Sequence, residues 1–175
     1  EKLAELKKAF EEEAKKHDVY PLDSRMTERL DPKLRGGGEP PTEWTYQGNQ
    51  IRMPEPVSPH IFPLAHSITA EVTSPKGQKA AGVITCTGGE TAGWSLYVMN
   101  GVPMYRYTLF GLADVTIKGT KALPEGKATV KAEFKPDGSK NGGGTVRLYV
   151  NGQPAGEGKL TRTSFRHALE PFQVG

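Results

Sequence analysis

Two Asn-Gly pairs, Asn100-Gly101 and Asn151-Gly152, each stand between runs in which apolar and polar residues alternate. No other feature of this chain limits its fold as much. A two-residue type I′ turn needs a positive φ at both central positions, which Asn and Gly adopt most readily. The pairs therefore predict hairpins 94–99/102–108 and 145–150/153–160.

The alternation extends well beyond those hairpins. After His66, Ile68, Ala70 and Val72 alternate with Ser67, Thr69 and Glu71. Similar runs cover Gly82–Thr87, Trp94–Met99, Pro103–Thr108, Ala113–Lys118, Lys127–Phe134 and Thr145–Val150. A period of two means that one face of each run is buried and the other wet. Seven or more such strands with frequent turn signals predict a mainly β chain, an antiparallel two-sheet sandwich or jelly roll.

Glu1 to His17 follows another rule. Leu3, Leu6, Phe10 and Ala14 recur at spacings of three, four and four, which places them on one face of a helix. This narrow stripe must dock on something: the sheet of its own domain is the simpler expectation, a partner outside the chain the other. Residues 18 to 65 hold Pro21, Pro32, Pro40, Pro41, Pro54, Pro56, Pro59 and Pro63 and the triplet Gly36-Gly37-Gly38. Such a stretch runs extended over a surface, with one short strand expected around Trp44 to Gln47. The chain thus reads as a docking helix (1–17), an extended Pro/Gly-rich segment (18–65) and a β-sandwich domain (66–175).

Charge narrows the function classes. Residues 1 to 35 carry 9 basic and 9 acidic side chains and the rest 14 and 11, so no basic stripe suited to a nucleic acid stands out. No run of about 18 apolar residues offers a membrane span. No signal segment is read at the start, where charge is even rather than basic.

Several residues could carry chemistry. Cys86 is the only cysteine, in step with Ile84 and Gly82, where a small thiol fills core space. As a nucleophile it would need a nearby His and an orienting group. His60 and His66 lie six residues apart, which is no metal-site spacing, and His17 and His167 are isolated. A fold could still join His60, His66 and Glu71 or Asp114, or set a His against Cys86, giving a small hydrolase acting on ester or phosphotriester substrates. Asp137-Gly138-Ser139-Lys140-Asn141-Gly142 imitates the opening of a calcium loop, but Leu148 stands where the bidentate Glu belongs. Gly142-Gly143-Gly144 lacks the Lys and Ser/Thr of a phosphate cradle. Trp44, Trp94, Tyr97, Tyr105, Tyr107 and Tyr149 could stack on sugar rings, so a carbohydrate-binding module is a further alternative. Trp94, in step with Leu96 and Val98, reads as core.

The order Gly82-Val83-Ile84, Gly93-Trp94-Ser95-Leu96-Tyr97-Val98, Tyr105-Arg106-Tyr107 and Tyr149-Val150-Asn151-Gly152 looks like a laminin-G or concanavalin-like sandwich. Joined to Val19-Tyr20-Pro21-Leu22-Asp23-Ser24-Arg25, Thr45-Tyr46 before Arg52-Met53-Pro54, His66-Ser67-Ile68-Thr69-Ala70 and Glu170-Pro171-Phe172-Gln173-Val174-Gly175, it resembles the C-terminal region of bacterial arylsulfatases. The resemblance spans essentially the whole chain. It implies a non-catalytic accessory module, periplasmic or secreted, that packs on an alkaline-phosphatase-like catalytic domain. The family's formylglycine comes from a Cys-x-Pro-x-Arg motif, whereas Cys86 lies in Thr85-Cys86-Thr87-Gly88-Gly89. No catalytic residue transfers, and neither the catalytic domain's calcium nor another cofactor is expected here. The family's sandwich continues past its Phe-x-Val-Gly segment, so an open sheet edge, and self-association through it, is expected as well.

Overall fold

The computed structural model describes residues 1–22, 25, 41–54, 57–164 and 171–175. Part of the Pro/Gly-rich segment, including Gly36-Gly37-Gly38, and His167 lie outside the described residues. The chain divides into two units, 1–44 and 45–175.

In the first unit, helix α1 spans Lys2–Lys16. Its Ala, Leu, Glu and Lys residues are strong helix formers, and Lys15 and Lys16 sit in the last turn, where a positive charge suits the helix dipole. The Val19 amide donates to the Ala14 carbonyl at 2.9 Å and closes the helix end. Tyr20 turns back on the helix: its ring meets Phe10 edge-on at 6.4 Å, and its hydroxyl donates to Glu11 at 2.8 Å. Ala14 is buried, while Leu3, Leu6 and Phe10 stay 66, 57 and 51 % exposed.

The second unit is a β-sandwich, with ten strands among the described residues. In chain order they are β1 (Gln50–Met53), β2 (His66–Ser74), β3 (Gly82–Gly88), β4 (Ala92–Met99), β5 (Val102–Leu109), β6 (Ala113–Lys118), β7 (Gly126–Pro136), β8 (Gly144–Val150), β9 (Gln153–Leu160) and β10 (Phe172–Val174). One sheet has the order β1-β10-β3-β4-β5-β6 and the other β2-β7-β8-β9, with every pairing antiparallel. Both Asn-Gly hairpins form, with φ of 54° and 81° at Asn100 and Gly101 and of 49° and 75° at Asn151 and Gly152. The seven alternating runs are all strands.

The short strand expected at Trp44 to Gln47 forms instead at Gln50–Met53. Its partner is β10, some 120 residues later, in a register that pairs Gln50 with Val174 and Met53 with Phe172. Tyr46 is used differently, as a ring packed 5.5 Å from Phe172. The sandwich unit accordingly begins at Thr45 rather than at His66. The C-terminal strand β10 lies between β1 and β3, so it is interior and forms no open edge.

The core lies between the sheets. Trp94, Leu96, Tyr105, Tyr107, Val130, Phe134, Val146, Leu148, Leu160 and Phe172 are all buried in it. Burying side chains of this size stabilises the fold by about 1.5–3 kcal/mol each before entropy is counted. At one corner the two sheets meet directly. A Cβ on Gly158 would stand 2.5 Å from Ile117 Cγ1, and one on Gly156 would stand 2.9 Å from the Lys118 carbonyl oxygen. Only glycine lets β6 approach β9 so closely, and the Thr120 amide and hydroxyl both donate to the Ala155 carbonyl there.

Candidate functional site

The position of Cys86 follows from one extra residue. Along β3, Gly82 pairs with Val98 and Val83 with Tyr97, but the next pairs are Thr85 with Leu96 and Cys86 with Ser95. Ile84 is a bulge, and a one-residue shift turns every later side chain to the opposite face. Trp94 and Leu96 point into the core, so Ser95 and its partner Cys86 lie on the outer face of the six-stranded sheet. Cys86 is therefore not the core filler that its step with Ile84 implies. It is a free, half-buried thiol, pushed above its usual pKa by burial. A nucleophilic cysteine needs the opposite shift.

His66 is placed on the other sheet. It opens β2 directly across from Phe134, with ring centroids 5.3 Å apart, and its ring meets Phe62 edge-on at 4.8 Å. Its Nδ1–H donates to the Leu64 carbonyl at 2.8 Å. Burial lowers its pKa, against the carbonyls of Leu64 and Ile61, which favour the charged form. His60 is exposed on the connection before β2. The six-stranded sheet stands between Cys86 and His66, so the fold does not join them into a nucleophile and base. No group of three or more His, Cys, Asp or Glu side chains able to hold a metal occurs among the described residues.

The loop at 137–143 spends its oxygens on itself. Asp137 accepts from the Ser139 amide at 2.9 Å, and Ser139 Oγ accepts from the Gly143 amide at 2.9 Å. The hydrogen bonds from Ser139, helped by Lys159 at 3.6 Å, hold the Asp137 carboxyl below its usual pKa. This is a stitched hairpin connection.

Of the aromatic residues considered for sugar stacking, Trp94, Tyr105 and Tyr107 are core residues. Tyr97 and Tyr149 are half-buried on the outer faces of the two sheets. Those faces differ in kind. On the four-stranded sheet, Lys131 pairs with Glu133 at 3.1 Å, Arg147 with Glu157 at 2.6 Å, and Lys131 lies over the Tyr149 ring at 5.7 Å. Lys131 in particular lowers the Glu133 pKa. On the six-stranded sheet, the cross-strand row Val83–Tyr97–Met104 is apolar, with Val83 47 % exposed. Beside it Arg106 is held by Asp114 at 3.2 Å. The 97/104 pairing follows directly from the Asn100-Gly101 turn, so the sequence contained that signal. The continuation to Val83 depends on the bulge.

No helix among the described residues is long and apolar enough to cross a membrane. Comparison with protein-family models gives no match, and neither does comparison with the curated proteins.

Proposed function

We propose that the chain is a non-catalytic accessory module of an arylsulfatase-like parent, working by packing on its catalytic domain. The observation that carries this reading is the apolar stripe of α1. Leu3, Leu6 and Phe10 recur at helical spacing and are more than half exposed. A stripe of this kind is maintained against water only if another surface covers it. The hydrolase alternative has less support, because the Cys86 thiol is held protonated and has no base from His66. The glycan alternative loses three of its six aromatic residues to the core.

Two assays test the proposal. The purified chain and its Cys86→Ala variant are offered chromogenic sulfate, phosphate, phosphotriester and carboxylate esters, with no turnover expected from either. The chain is then mixed with an arylsulfatase catalytic domain stripped of its own C-terminal region. Co-elution is expected, and its loss in Leu6→Asp/Phe10→Asp. Cys86-dependent turnover, or co-elution indifferent to the helix variant, overturns the reading.

A further inference from the structure

The four sheet edges of the sandwich are protected to very different degrees. Strand β1 has only four residues, a register shift and a positive φ of 55° at Arg52. Strands β6 and β9 crowd each other at the corner, where Gly156 and Gly158 lie against Lys118 and Ile117 and Thr120, just beyond β6, bonds Ala155. Strand β2 has none of these safeguards. Its nine residues pair with β7 in unbroken register from His66↔Phe134 to Ser74↔Gly126. Among the described residues, no other backbone hydrogen bond reaches it. It also lacks the Pro, Lys or bulge with which edges are usually blunted.

The sequence of β2, His-Ser-Ile-Thr-Ala-Glu-Val-Thr-Ser, is complementary to itself when reversed about Ala70. In an antiparallel pair centred there, Ile68 of one copy faces Val72 of the other, and the small Ala70 side chains meet at the two-fold axis. Ile68, Ala70 and Val72 are half-buried in the single chain, which leaves apolar area to cover. On the outer face Thr69 opposes Glu71 twice and Ser67 opposes Thr73 twice, so no like charges meet. We infer that β2 is a self-association edge, through which two copies join their four-stranded sheets into one continuous sheet of eight strands. An isologous interface requires this kind of self-complementarity.

Sedimentation velocity of the 175-residue chain from about 5 to about 500 µM tests the inference in the range expected of a small interface. A monomer–dimer equilibrium is expected. Thr69→Lys sets a Lys against Glu71 of the other copy at both symmetric positions and should tighten the dimer about fivefold, whereas Thr69→Glu should loosen it by a similar factor. Thr69 is exposed, and thermal melts establish that both variants are folded. A monomer throughout, a dimer indifferent to both variants, or the same direction of change in both overturns the inference.

Discussion

Trp94 and Tyr105 lie parallel in the core, their rings 4° apart in orientation and 6.2 Å between centroids, yet the Tyr105 hydroxyl has no hydrogen-bond partner among the described residues. Tyr105 is 1 % exposed. A buried hydroxyl left unpaired costs about 1–3 kcal/mol in lost hydration. Tyr105→Phe keeps the ring and removes the cost. Its urea unfolding midpoint should rise, by about 1 kcal/mol of stability. A fall of that size would mean the hydroxyl is satisfied, by a water for instance.

Gly158→Ala should be costly for the opposite reason, since it adds an atom where none fits. Its Cβ would stand 2.5 Å from Ile117 Cγ1, inside the core. Overpacking of this kind costs about 1–3 kcal/mol. In the Ile117→Ala background the same substitution should cost distinctly less, and the double-mutant cycle measures the difference. Equal costs in both backgrounds would show that the corner does not depend on this approach.

Stability should fall as the solution is acidified through the ordinary histidine range. Half-buried His66 has its pKa lowered from 6.5 by desolvation, so the unfolded chain takes up a proton at a pH where the native ring stays neutral. The contribution is complete above pH 6.5, is lost as pH drops toward the native value, and changes no further below it. Urea midpoints measured across this range should slope downward with acid, and His66→Gln should flatten that slope. An unchanged slope would assign it to other groups.

Cys86 should behave as an outward, sluggish thiol. Cys86→Ser should cost less than about 1 kcal/mol, because the hydroxyl meets Ser95 and the sheet surface rather than the core. Alkylation by iodoacetamide at neutral pH should be slower than for an unstructured cysteine peptide, given the raised pKa. A large loss of stability would place the side chain back among the core residues.

The strands are legible because period two and Asn-Gly are local signals: alternation delimits β6 to the residue and the β8–β9 hairpin nearly so. What stayed hidden depended on partners remote in sequence. Nothing near Gln50 names Val174, so the local pattern places β1 several residues early. Nothing at Gly158 says that Ile117 needs the space. The candidate site had the same limitation. Alternation along Gly82, Ile84 and Cys86 points the thiol inward, and only the register against Leu96 and Ser95 reveals the bulge at Ile84. The stripe Leu3, Leu6, Phe10 was plain in the sequence, but its exposure was not.

The corner where β6 meets β9 also sets a limit on growth. A strand-paired polymer needs two compatible edges per molecule, one to accept and one to offer. The close approach of β6 to β9, with Thr120 bonded to Ala155 just beyond β6, crowds both of those edges, and β1 is short and bent. If two copies pair through β2, that pairing covers the one long, uncrowded edge among the described residues, and the expected product is a closed pair rather than a fibre.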